Sequence, residues 1–182
     1  CVSVKRSNSS SAADMRRMGD SSLEWLLKEA AAGEPPTGAI RVRKQHYDVD
    51  VVAEVGTSHV LAIEDKVHTD EHSRQLERYQ RTLRKAFPGR LLVLVYLKTG
   101  DQASYQEVRK QGWAVVTRKQ MLGLFDAAAE VRNDIFSDYR SHLRGLESRV
   151  EAFRRMPPST WEPRSLLWHG FFLELQERFR PL

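Results

Sequence analysis

The sequence predicts an α/β domain: a central mixed sheet of four to five strands flanked by helices, followed by a helical extension at the C-terminus. Three features carry this expectation. Residues 46–67 alternate apolar and polar side chains on either side of Gly56-Thr57-Ser58; residues 91–97 (LLVLVYL) are apolar without a break; residues 71–87 and 135–153 place apolar side chains at helical spacing. Alternation marks a half-buried strand, an unbroken run of strand length marks one buried on both faces, and helices between strands cover the sheet.

Taken in order, residues 1–13 (CVSVKRSNSSSAA) are Ser-rich and polar and read as a flexible tail. A core is expected over 14–132 and the helical extension over 133–182. Ser21 or Ser22 caps a first helix whose Leu23, Leu26 and Leu27 form an apolar stripe, and Gly33-Glu34-Pro35-Pro36 ends it. The hairpin follows, its first arm alternating Tyr47, Val49, Val51 and Val55 with Asp48, Asp50, Val52 and Glu54, its second arm VLAIEDKV. A helix from Glu71 to Phe87 closes at Pro88-Gly89. After the buried strand come a short helix to Lys110, a strand from Trp113 to Thr117 and a helix from Lys119 to about Val131. Ile135 or Phe136, with Tyr139, Leu143, Leu146, Val150 and Phe153, then gives a long amphipathic helix ending near Pro157-Pro158, and a last helix spans Ser165 to Phe179.

Composition narrows the function classes. With 182 residues the chain is long enough to bury a core, and its formal charge of +5 leans toward polyanionic partners. Cys1 is the single cysteine, so neither an internal disulfide nor a Cys-rich zinc site is available. No apolar run approaches the ~20 residues that span a bilayer, and the N-terminus lacks the apolar region of a secretory signal. The expected setting is the cytoplasm, away from membranes.

The chemistry concentrates in the hairpin. Side chains two apart on a strand share a face, so Glu64 and Lys66 project together, as do Asp48 and Asp50. With Gly56-Thr57-Ser58 as the loop, Val55 pairs with His59, which sets Asp50 opposite Glu64 and Asp48 opposite Lys66. Facing carboxylates repel unless a positive charge lies between them, and a divalent cation such as Mg²⁺ is one solution. The other reading is a solvated hairpin in which Asp48 merely pairs with Lys66. The apolar residues 60–63 and the apolar strand at 91–97 favour acids at the end of a buried sheet.

On the 71–87 helix, Leu76, Leu83 and Phe87 form the apolar face, with Gln75 and Tyr79 side by side at its border. Arg74, Arg78, Arg81 and Lys85 form a basic stripe opposite. That stripe reads either as a solvated face or as a contact for DNA.

The stretch from Asp50 through Glu64-Asp65-Lys66, followed by QLERY at 75–79, resembles the PD-(D/E)XK nuclease superfamily, and more narrowly its bacterial branch with an IENK…QLxxY signature. SSLEWLL at 21–27 resembles the first helix of that branch, and the match covers roughly residues 20–117. The resemblance implies a restriction-endonuclease-like fold and Mg²⁺- or Mn²⁺-dependent hydrolysis of phosphodiester bonds in DNA. It implies Asp50, Glu64 and the main-chain carbonyl of Asp65 as metal ligands, Lys66 as the aid to the attacking water, and Gln75 and Tyr79 as the residues that arrange the substrate. Three features depart from the pattern. Asp65 stands where the branch has Asn; Glu24 is the nearest substitute for an acid early in the first helix; Asp48 adds a third acid that competes with Asp50.

Six histidines, at 46, 59, 68, 72, 142 and 169, do not form a ligand set, although His68 and His72 are four apart. No Gly-rich phosphate loop and no nucleophile elbow occurs. Trp161, Trp168, Phe171 and Phe172 either pack the last helix onto the domain or form a homodimer surface. The rivals to a nuclease are an inactive nucleic-acid-binding module and a protein-interaction module on the same fold.

Overall fold

The computed structural model describes residues 38–67, 74–102, 104–128 and 130–179. The expected N-terminal tail and first helix, with Glu24, and the His68/His72 pair lie outside the described residues. Within them a five-stranded sheet runs in the order β1 (Ile40–His46), β2 (Val49–Val55), β3 (His59–Lys66), β4 (Leu91–Lys98) and β5 (Ala114–Thr117). The first three strands are antiparallel and the last two parallel to their predecessors, so the sheet is mixed, as expected. Parallel neighbours need a crossover. Helix α1 (Gln75–Ala86) supplies it between β3 and β4, and α2 (Gln106–Lys110) between β4 and β5. Helices α3 (Arg118–Ala127), α4 (Asp134–Glu151) and α5 (Leu166–Arg178) follow.

The three-residue turn at Gly56-Thr57-Ser58 sets the predicted register, Val55 opposite His59 through Val51 opposite Ile63. The other end of the first arm departs from expectation. Residues 46–55 are not one strand: Tyr47 and Asp48 form a two-residue turn with φ of 57° and 64°, a backbone that suits a tight hairpin, and β1 pairs back onto β2. Asp48 therefore sits exposed on a turn and does not stand opposite Lys66. Strand β1 escapes sequence reading because IRVRKQH is an edge strand, open on both faces and dominated by cations, which protect an edge from adventitious pairing.

Two apolar layers hold the sheet. Val52, Val60, Ala62, Leu94, Tyr96 and Val115 meet Leu76, Tyr79 and Leu83 of α1 and Val108 of α2, with Trp113. Ala53, Val55, Leu61, Val93, Val95 and Val116 line the other face. Strict alternation along β2 would put Val49 in the second layer, yet it packs in the first. The hairpin tip curls toward α1, which also sets Tyr47 edge-on to Phe87, ring centres 5.6 Å apart. Asp50 lies at the point where the alternation breaks.

The helix expected from Glu71 is described from Gln75. Arg74 precedes it at φ 61°, in the left-handed region, so a right-handed helix cannot run through it. Thr117 caps α3 through a reciprocal box with Gln120, and the Asn133 side chain caps α4. At the C-terminus Trp161 is buried and meets Phe153, Trp168 and Phe171 edge-on, seating α5 against the end of α4. Gly170 allows this approach, since a Cβ there would stand 2.0 Å from the Val150 carbonyl oxygen. Among the described residues no helix is long and apolar enough to cross a membrane.

Candidate active site

The C-terminal end of β3, the bend in β2 and the first turn of α1 meet at one place. Glu64 and Lys66 alternate onto the face that α1 covers, and Lys66 Nζ lies 2.7 Å from Glu64 Oε1. Gln75, the first residue of α1, joins both: its Oε1 accepts from Lys66 Nζ at 3.2 Å and its Nε2 donates to Glu64 Oε1 at 3.3 Å. The ammonium only donates and the carboxylate only accepts, so one orientation of the Gln75 amide satisfies both partners. The same Nε2 donates to the hydroxyl of Tyr79, one turn along and buried in the core layer beneath α1. The spacing of Gln75 and Tyr79 brings the two side chains into direct contact: the tyrosine anchors the glutamine, which holds the ion pair.

Asp50 enters from β2. Its Oδ2 accepts a 2.8 Å hydrogen bond from the main-chain N–H of Asp65. That bond fixes the aspartate one step beyond the last paired residues, Val51 and Ile63, beside Glu64. Asp65 itself alternates away from the site face and stays exposed. Partial desolvation, then the neighbouring Asp50 charge, raise its pKa.

Glu64 is the electrostatic centre. It is only 2% exposed, and burial pushes its pKa up; the Lys66 hydrogen bond opposes this, and the Asp50 charge adds to the rise. Its Oε1 accepts from two donors, whereas Oε2 is buried and accepts from none among the described residues. An ionised buried oxygen without a donor is costly, and a second carboxylate nearby makes it more so. A cation would relieve both. Among the described residues no cluster of three or more His, Cys, Asp or Glu side chains is placed to hold a metal. Two carboxylates with a main-chain carbonyl are nevertheless a donor set that fits a hard divalent ion, which keeps waters and takes phosphate oxygens for its remaining positions.

Two residues flank the site that sequence reasoning did not single out. In the parallel ladder Tyr96 stands beside Glu64 and Lys98 beside Lys66. Lys98 is fully buried, and its charge works against the rise in the Asp65 pKa. Tyr96 donates to Gln102 Oε1 at 2.9 Å, tying the site to the loop after β4. The lysine ending an otherwise apolar run was the available signal; which strand lay beside it was not legible.

A family model for the PD-(D/E)XK nuclease superfamily matches residues 40–143, more than half of the chain. The chain belongs to the PD-(D/E)XK nuclease superfamily. The match begins at the first strand of the sheet and runs into α4, so this PD-(D/E)XK domain contains all the site residues just described. Comparison with curated proteins and with solved structures returned no match.

Proposed function

We propose that this PD-(D/E)XK domain is a nuclease that hydrolyses phosphodiester bonds in DNA with the help of Mg²⁺ or Mn²⁺. The observation that carries the reading is Glu64 Oε2, a buried carboxylate oxygen without a donor among the described residues, beside the charge of Asp50. Asp50, Glu64 and the carbonyl of Asp65 would hold the ion. When bound, it would lower the pKa of a water and offset charge developing on the phosphate.

The side chains supply the rest. Lys66 spends two of its three ammonium protons on Glu64 and Gln75, which leaves one to donate to the attacking water or to a phosphate oxygen. Gln75 keeps that ammonium from swinging away, and Tyr79 keeps Gln75 in place from within the core. The positive end of α1 begins at Gln75 and adds a favourable field for a phosphate anion.

Incubation of the protein with plasmid, linear duplex and single-stranded DNA, with and without Mg²⁺ or Mn²⁺, is expected to give cleavage that chelation abolishes. Binding without cleavage in either metal would instead leave a nucleic-acid-binding module.

A thermodynamic signature accompanies the site. Because the folded-state pKa of Glu64 is raised, the folded protein holds more protons than the unfolded chain as pH climbs from the ordinary glutamate value to the raised one. Metal-free stability therefore falls across that window, and a cation that binds the ionised carboxylate restores it. The gain in melting temperature on adding Mg²⁺ should be negligible below the ordinary glutamate pKa and grow above it, and Glu64→Gln should erase most of it. A gain independent of pH, or one that survives Glu64→Gln, would remove Glu64 from the metal site.

A further inference from the structure

The outer face of α1 carries cations that the site described above does not use. Arg74, Arg78, Arg81 and Lys85 follow one another at intervals of four, three and four residues, opposite the buried Leu76, Tyr79 and Leu83, and all four are exposed. At a rise of 1.5 Å per residue the row is about 16 Å long, with a charge roughly every 5–6 Å.

Some guanidinium groups of this protein are tied to acids: Arg90 to Glu54, Arg118 to Asp101 and Glu147, Arg154 to Glu174. The four cations of the α1 crest make no ion pair among the described residues; Arg78 instead lies over the Tyr79 ring, 5.4 Å from its centre. Glu77 is the acid nearest this row in sequence, three residues after Arg74 and four before Arg81, so the crest keeps a net positive charge that a polyanion can answer. The row also has a direction. It starts one residue before Gln75, which touches both Glu64 and Lys66, and ends a helix-length away at Lys85.

We propose that the α1 crest seats the phosphate backbone of the nucleic-acid substrate on one side of the bond being cut, a proposal that rests on the nuclease reading above. A row of this length can accompany a few successive phosphates of one strand. Cations that meet only phosphates position the substrate without reading its sequence. The crest therefore supplies affinity and direction, and leaves cleavage to the acids and Lys66.

The test combines binding and cleavage in the full chain. Arg78, Arg81 and Lys85 are changed together to Gln, and binding of a fluorescent DNA duplex is followed by anisotropy in chelator across a salt series. Each lost phosphate contact lowers the slope of log affinity against log salt by about 0.9, so the slope should fall by roughly two to three. KM for DNA should rise at least about tenfold with kcat at saturation unchanged, and hydrolysis of bis(p-nitrophenyl) phosphate should be unaffected. Exchanging both arginines for lysine, with Lys85 kept, should preserve the slope, which separates charge from shape. Neutral methylphosphonate linkages should weaken wild-type binding on one side of the cleaved bond only. An unchanged slope in the triple variant, or equal sensitivity on both sides, would overturn the crest. If the wild type cuts no nucleic acid yet the slope difference remains, the crest stands as a backbone seat and the nuclease reading falls.

Discussion

Replacing Lys66 by methionine should reduce DNA cleavage by about a thousandfold or more at temperatures where the variant is still folded. Taking the cation from the buried Glu64 also costs stability, as at any buried pair, but the fold is kept. Methionine keeps most of the aliphatic stem, and Glu64 Oε1 retains its hydrogen bond from Gln75 Nε2, so the packing of α1 on β3 survives. What is lost is the ammonium held 2.7 Å from Glu64, a donor with a proton to spare for the reacting groups. Proton-transfer and charge-stabilising groups at such positions are typically worth about 10²–10⁴ in rate. Glu64→Gln should be as severe for a different reason: the amide keeps its volume but no longer holds a cation with a full charge. Lys66→Ala and Glu64→Ala should likewise abolish cleavage. Single-turnover rates at saturating DNA, with thermal unfolding of each variant, decide the matter. If Lys66→Met cuts at close to the wild-type rate, the ammonium has no part in the chemistry.

Gln75→Leu offers a graded comparison. It leaves Lys66 and Glu64 bonded to each other but frees both from the anchor that runs to Tyr79 in the core. A loss smaller than that of Lys66→Met would fit a residue that positions the ammonium, as distinct from one that donates to the reaction.

The site was legible in sequence where a short-range rule applied. Alternation on one strand joined Glu64 to Lys66; helical spacing joined Gln75 to Tyr79; a three-residue turn fixed the register that brings Asp50 to the end of β3. Those rules involve residues that are neighbours in sequence or across one tight turn. What they missed depends on longer reach. The bend at Asp50 follows from the hairpin tip curling onto α1, which no local pattern announces, and the same bend withdraws Asp48 into a turn. Lys98 and Tyr96 reach the site through a parallel ladder whose partner strand lies beyond an entire helix. Strand β1 was hidden because an edge strand has little burial to impose a pattern on its residues.

Arg118 illustrates that longer reach most strongly, and its replacement should be strongly destabilising. The side chain is 4% exposed and its donors are almost all engaged. Nη1 donates to the Thr99 carbonyl at 3.0 Å and to Asp101 Oδ2 at 3.1 Å, Nη2 to Asp101 Oδ1 at 2.8 Å, and Nε to Glu147 Oε2 at 2.7 Å. One guanidinium thus joins the loop after β4, the start of α3 and the middle of α4. Arg118→Met would take its donor from two partly buried carboxylates and a carbonyl, with His169 Nε2, 3.4 Å from Asp101 Oδ2, left as the near partner of that acid; removing one partner of a buried pair typically costs about 3–5 kcal/mol. For a chain of this size each kcal/mol lowers the melting temperature by roughly 2–4 °C, so a fall of about 6–20 °C is expected. Changing Asp101 to Asn and Glu147 to Gln in the same chain removes the stranded charges and should recover much of that loss, because the penalty belongs to the orphaned acids more than to the missing attraction. The consequence extends to the site: the loop that Arg118 clamps at Thr99 and Asp101 also carries Gln102, the partner of Tyr96 beside Glu64. Arg118→Met should therefore lower cleavage at temperatures where the protein is still folded, and the triple variant should regain stability before it regains activity. A melting temperature within about 2 °C of wild type for Arg118→Met would mean that the loop and helices are held by packing alone.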